Sequence, residues 1–146
     1  MISNRSRNLG QLIKALHSTE LQLSARINRS LAALGLNRSQ LSTLACFSSQ
    51  PNRSQTITSL AAAVDMNQPA VTKIVSYLVE REWLVTAADP SDARKRSLRI
   101  TPQGLGVVIK AYGELTPTID DAFTAFDDDD IQWLLAKLHQ LSVRLR

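Results

Sequence analysis

The chain contains a single cysteine, Cys46, which excludes an internal disulfide and any cysteine-rich zinc framework. It lacks an apolar run long enough to span a bilayer and shows no signal-peptide pattern, so a soluble cytoplasmic protein with no membrane partner is expected. No glycine-rich loop offers a cradle for phosphates, and the two histidines, His17 and His139, belong to no nucleophile or metalloprotease pattern. His17 and Glu20 are spaced as half a metal site, but the other ligands are missing. Without a positioned acid, base and nucleophile, catalysis is not expected, and neither is a metal or other cofactor. Cys46 sits among apolar residues with no adjoining Lys, Arg or His, which favours a small hydrophobe over a redox sensor.

What is present suits a folded binding protein. With 146 residues, 44% of them hydrophobic, the chain is sized for one domain with an appended helical element and can bury a core without staples. Its net charge of +4 is unevenly spread. Residues 1–38 hold six Lys/Arg against one acid, residues 39–101 seven against five, and residues 102–146 four against seven. A basic front and an acidic tail fit a protein that meets a polyanion with one side.

The most informative stretch is Thr58–Ser76, which reads as a short helix, a turn at Asp65-Met66-Asn67, and a second helix. Asn67 is placed to cap the second helix and Pro69 falls in its first turn, where a missing N–H is tolerated. Val71, Ile74, Val75 and Leu78 recur at helical spacing and define a buried stripe. The opposite face carries Pro69, Thr72, Lys73 and Ser76, with Tyr77 beside them and no acid before Glu80. Slim side chains, hydrogen-bond donors and freedom from phosphate repulsion are what a helix entering a major groove requires.

Around this motif, residues 1–7 read as a loose, partly disordered arm and Asn8–Leu34 as a long helix ended by Gly35. Its stripe comprises Leu9, Leu12, Ile13, Leu16, Leu23, Ile27 and Leu34, enough to pack on another chain as well as its own core. A helix capped by Asn37 or Ser39 follows, running to about Ser49 with Leu41, Leu44 and Ala45 inward. Gln50–Ser54 is a loop, and Thr56-Ile57-Thr58 suggests a short strand. Trp83–Thr86 and Arg96–Ile100 then suggest two strands joined by a loop with Asp89-Pro90-Ser91-Asp92 turn chemistry. Arg94, Lys95, Arg96 and Arg99 make that hairpin a basic finger, suited to phosphates or to a narrow minor groove.

Beyond Thr101 the pattern is helical again, with Leu105, Val108, Ile109 and Tyr112 as the stripe and Pro117 expected to kink or break the helix near Thr116. Asp127–Asp130 precede a last helix; Asp127 suits a cap, and Phe126 and Ile131 a hydrophobic staple. That helix places Ile131, Leu134, Leu135, Leu138, Leu141, Val143 and Leu145 for burial. Apolar helices at both ends of the chain suggest a dimer.

Leu60-Ala61, Val71-Thr72, Leu78, the Asp89-Pro90…Asp92…Arg94 loop and Ile100-Thr101-Pro102-Gln103-Gly104 together resemble the MarR family of bacterial transcriptional regulators. The spacing agrees from Leu60 through Gly104, and the outer helices fit in kind. The fold expected is mostly α with a small β-hairpin wing: a winged helix-turn-helix with N- and C-terminal dimerisation helices. Residues 1–38 would form the arm and first dimerisation helix, 39–101 the DNA-binding module, and 102–146 the C-terminal dimerisation helices.

The resemblance implies a homodimer that acts on a pseudo-palindromic operator of double-stranded DNA, as a repressor or occasionally an activator, often released by a small aromatic or anionic effector. It gives Gln68, Pro69, Ala70, Thr72 and Lys73 the recognition-helix positions. Arg94 takes the wing tip, with Asp92 steadying it by an ion pair; Ser76, Lys95 and Arg96 complete the expected DNA-binding set. His17, Cys46 and Tyr112 would line an effector crevice. Three departures stand out: Trp83 and Asp65 occupy positions where the family usually has Gly, and Ala93 is small where a bulkier, often basic residue is common. The alternative reading is a winged-helix protein-interaction module without DNA binding, favoured by Trp83 and the modest charge of the central module.

Overall fold

A long helix, α1 (Asn4–Leu31), opens the computed structural model, which describes residues 3–89, 91–92 and 94–146. Pro90 of the expected turn and Ala93 of the expected departure lie outside these residues, as do Met1 and Ile2. The loose arm is otherwise corrected: Ser3 caps α1 by accepting the Ser6 N–H at 3.1 Å, so Asn4–Arg7 are already helical. A hydroxyl at the N-cap satisfies a donor that the first turn cannot pair for itself. The helix tightens into a 3₁₀ turn at Ala32–Leu34 and stops at Gly35, whose φ of 69° is the left-handed stop expected there.

Five helices and two strands follow: α2 (Arg38–Ala45), α3 (Ile57–Val64), α4 (Gln68–Glu80), β1 (Leu84–Ala88), β2 (Arg96–Ile100), α5 (Pro102–Ala122) and α6 (Asp128–Leu145). Reciprocal capping boxes start α2 (Asn37 with Gln40), α3 (Thr56 with Ser59) and α6 (Asp127 with Asp130). The box at Thr56 replaces the expected Thr56-Ile57-Thr58 strand. Only Gln55 pairs with the hairpin, as a single bridge to Leu98, and Thr56 turns its hydroxyl to the helix instead. Helix α2 is also shorter than expected, giving way to turns after Ala45.

The described residues form two compact units, 1–115 and 116–146. The core of the first gathers Ile27 and Leu31 of α1, Leu41 and Leu44 of α2, Phe47, Leu60, Val71, Val75, Leu78, Trp83, Leu84, Leu98, Ile100 and, from α5, Val108, Ala111 and Leu115. Each fully buried Leu, Val or Phe contributes roughly 1.5–3 kcal/mol relative to exposure. The stripe of α5 is therefore rotated from the expected one: Val108 is shared, but Ile109 and Tyr112 are exposed. On α1, Leu9, Leu12 and Ile13 are likewise exposed, and within its own chain the helix is buried only at Ile27 and Leu31.

In the second unit Pro117 lies inside α5, which continues to Ala122 rather than ending near Thr116. The residue four positions earlier, whose carbonyl a proline ring crowds, is Gly113. Phe126 packs edge-on against Phe123, ring centroids 5.8 Å apart. Helix α6 has no fully buried residue: Leu135, Leu138, Leu141, Val143 and Leu145 are exposed and Leu134 is half-buried.

The hairpin is antiparallel, with Leu84 opposite Ile100 and Ala88 opposite Arg96. The close of α4 sets its angle. The Trp83 N–H bonds back to the Leu78 carbonyl at 3.0 Å, with Glu82 between them at a φ of 60°. The left-handed residue is thus Glu82. Trp83, expected to sit where glycine would be needed, is buried at 6% exposure. Its ring meets Tyr77 edge-on at 6.4 Å, and the Arg81 guanidinium lies 5.0 Å and 5.5 Å from the centres of the two rings.

Thr101 caps α5 by accepting the Gly104 N–H at 3.0 Å, while its own hydroxyl donates to the Glu82 carbonyl at 2.7 Å. A Cβ on Gly104 would stand 2.2 Å from the Trp83 carbonyl oxygen. Gly104→Ala should therefore destabilise the fold by about 1–3 kcal/mol, whereas Glu82→Gly should stabilise it by ~0.5–1 kcal/mol through relief of the left-handed backbone. Urea titrations of the two variants beside wild type check both signs.

Candidate nucleic-acid interface

Helix α4 begins where Asn67 accepts the Ala70 N–H at 2.9 Å, and Pro69 follows in the first turn. Val71, Val75 and Leu78 are buried and Ile74 half-buried, as their spacing requires. The outward face carries Gln68, Pro69, Thr72, Lys73 and Ser76, all exposed, with Ala70 half-buried at its edge. Two of its hydroxyl protons are already spoken for: Thr72 donates to the Gln68 carbonyl at 2.8 Å and Ser76 to the Thr72 carbonyl at 3.0 Å. In this geometry the two hydroxyls present acceptor lone pairs outward, and Lys73 and the Gln68 amide supply the donors.

The turn into α4 is closed by Asp65 in left-handed backbone, φ 57°, a conformation that Asp tolerates better than most residues. Gln68 Nε2 reaches Thr58 Oγ1 at 3.4 Å, joining the first turns of α3 and α4. On the other side of α3, Gln55 exchanges backbone bonds with Leu98 at 2.9 Å and 2.7 Å and donates its side-chain amide to the Cys46 carbonyl at 2.7 Å. Gln55 and Thr58 were not among the expected site residues. Their signal in the sequence is one polar side chain on either side of a cap, which many loops share.

At the wing, Asp89 accepts the Ser91 N–H at 2.8 Å and its hydroxyl at 2.6 Å. The Ser91 hydroxyl and backbone bonds hold the Asp89 carboxyl below its ordinary pKa, so it stays ionised at neutral pH. The loop closes by the Asp89 N–H on the Lys95 carbonyl and the Lys95 N–H on the Asp92 carbonyl. Asp92 Oδ1 accepts the Arg94 backbone N–H at 3.0 Å. Asp92 therefore steadies Arg94 through the backbone and not by the expected ion pair, since a carboxylate folded onto its own loop meets the nearest N–H first. The side chains of Arg94, Lys95 and Arg96 are exposed.

The expected effector residues lie on three elements. His17 is exposed on α1, Tyr112 is exposed on α5, and Cys46 is half-buried just after α2. A shallow hollow along α6, lined by Lys137, His139, Gln140, Leu141, Val143 and Arg144, includes none of them.

A capped helix with a slim polar face, a short helix joined to its first turn, and a basic two-stranded wing bridged by Gln55 define a winged helix-turn-helix protein. Residues 36–95 match the MarR family model. The whole chain is similar to the transcriptional regulator BldR from Sulfolobus solfataricus, at 22% identity and a TM-score of 0.84, over 98% of this chain and 99% of that one. It is similar to the transcriptional repressor CouR bound to a 23-mer DNA duplex, at 21% identity and a TM-score of 0.84, over 97% and 99%. It is also similar to Bordetella bronchiseptica BpsR, whose DNA binding is regulated by 6-hydroxynicotinic acid, at 19% identity and a TM-score of 0.80, over 90% and 98%. These likenesses establish the shared fold. No curated protein matches the sequence.

Burial raises the Cys46 pKa, against a smaller lowering by a backbone hydrogen bond, and its Sγ lies 3.3 Å from the Ser42 carbonyl. Because the thiolate is the reactive form, iodoacetamide should label folded Cys46 more slowly at neutral pH than a free peptide cysteine, and faster as pH rises. A mass-spectrometric time course checks this; fast labelling at neutral pH would restore the redox-sensor reading.

Proposed function

We propose that this chain is a sequence-specific, DNA-binding transcriptional regulator of the MarR type. It acts as a homodimer on a pseudo-palindromic operator, as a repressor released by a small aromatic or anionic effector. The observation that carries the reading is the outward face of α4, capped, slim and without an acid through Tyr77, held in one frame with the basic wing. Lys73 and Gln68 would meet base edges or phosphates in the major groove beside Pro69, Ala70, Thr72 and Ser76. Arg94 would enter the minor groove, with Lys95 and Arg96 along the backbone and Asp92 shaping the loop.

The exposed apolar residues of α1 and α6 support a homodimer. Leu9, Leu12 and Ile13 on one helix, and Leu135, Leu138, Leu141, Val143 and Leu145 on the other, are more apolar surface than a monomer ordinarily leaves to water. A dimer would set two recognition helices one turn of the duplex apart, roughly 34–36 Å, to enter successive major grooves. Ligand-regulated BpsR supports an effector here, with His17, Cys46 and Tyr112 as its lining. Operation in the cytoplasm follows from the same role, and no helix of the described residues is long and apolar enough to cross a membrane.

The interaction-module alternative rested on Trp83 and on the modest charge of the central module. Trp83 is buried against Tyr77 and Arg81 at the end of α4 and offers no docking surface, so that alternative retains only the charge.

A gel shift on the duplex upstream of its own coding region, with unrelated duplex as competitor, tests the reading. Wild type should retard the specific duplex, and Arg94→Ala should weaken binding by ~1–3 kcal/mol, the scale of one good base-edge contact. Equal affinity of the two proteins would remove Arg94 from the groove. Light scattering of the free protein should give the mass of a dimer.

A further inference from the structure

We propose that Arg53, in the loop between α2 and α3, is a further DNA contact that grips a backbone phosphate between the recognition helix and the wing. This rests on the DNA-reading function and adds a site to it. Two joints locate the residue. Two positions on, Gln55 pairs with Leu98 in the middle of β2, and Thr58 beyond it meets Gln68 in the first turn of α4. Arg53 thus stands at the start of the short segment that ties the wing to the recognition helix. The segment is fixed to the wing and to the end of α2, because both backbone bonds of Gln55 and its side-chain amide are engaged with Leu98 and the Cys46 carbonyl.

Charge points to an anionic partner. Between Glu20 and Glu80 the chain's only acid is Asp65, while Arg26, Arg29, Arg38, Arg53 and Lys73 fall in the same interval. Arg38 is neutralised by Glu20. Arg53 is exposed, and its guanidinium meets a neutral group, Gln50 Oε1, at 3.3 Å. Its backbone is fixed as well, the Arg53 N–H bonding to the Gln50 carbonyl at 2.9 Å. A guanidinium fork on a tethered loop, flanked by Asn52 and Ser54, matches the paired oxygens of a phosphodiester and leaves donors free after its bond to Gln50. A phosphate contact carries no base information, so Arg53 contributes affinity and register but not sequence choice.

Salt titration of duplex binding tests this, with wild type, Arg53→Ala and Arg53→Lys each measured on the upstream duplex and on an unrelated duplex of equal length. Each phosphate contact adds about 0.9 to the slope of log affinity against log salt. Arg53→Ala should therefore flatten the slope by about 0.9, so that its deficit shrinks by about 3.5-fold between 50 and 200 mM salt. The loss should be the same on both duplexes, Arg53→Lys should recover most of the slope, and thermal melting should match wild type. Unchanged slope and affinity in Arg53→Ala, with wild type binding normally, would overturn the Arg53 assignment alone. Failure of wild type to retard any duplex would take down the DNA-reading function and this site with it.

Discussion

The contact on which the module's geometry depends is the approach of α5 to the carbonyl of Trp83. Helix α5 can begin there only because residue 104 has no Cβ, and because Thr101 supplies both a cap for the helix and a donor to the chain it presses against. The same carbonyl accepts the Thr101 N–H at 3.0 Å. The end of α4, both strands of the wing and the start of α5 are therefore joined within one cluster of hydrogen bonds. A wing anchored this way is held to the end of α4, as the proposed engagement of two grooves at once would require. The Thr101-Pro102-Gln103-Gly104 stretch is thus a joint: a cap, a first-turn proline, and a glycine where backbone must meet backbone.

The recognition helix balances two demands. Its inner face must bury Val71, Val75 and Leu78 to be held at all, since a helix of this length is marginal alone. Its outer face must stay slim and free of negative charge. Thr72 and Ser76 meet this at the cost of back-bonding to their own helix, which leaves oxygen lone pairs facing outward. In the proposed DNA-reading role the cationic work would fall to Lys73 and the wing arginines, whose long side chains can meet phosphate without a preformed pocket.

Local signals were legible where the physics is local. Asn67 before Pro69 marks the start of α4, the Asp127–Asp130 run the start of α6, and Gly35 the end of the first helical segment, because caps and stops involve only neighbouring residues. Errors arose where a distant partner decided. Thr56-Ile57-Thr58 has the β-branched composition of a strand, yet a strand exists only if another pairs with it, and the bridge to β2 is made by the preceding residue, Gln55. Of the two outcomes expected at Pro117, a kink or a break, the break does not occur: a proline inside a helix removes one bond, and the turns on either side carry α5 onward. Trp83 departs from the family's usual Gly, and the bonds closing α4 put the left-handed backbone one residue earlier, at Glu82.

By itself, then, the sequence determined the order of elements, the buried stripe of the recognition helix and the candidate DNA face, because helical spacing and capping are written in neighbouring residues. Tertiary structure alone decided that Trp83 packs inward against Tyr77 and Arg81, that Asp92 holds Arg94 by its backbone, that Gln55 joins the loop to the wing, and that Thr58 meets Gln68 of α4. Each of those outcomes is set by which groups come within bonding distance once the core of the first unit has closed.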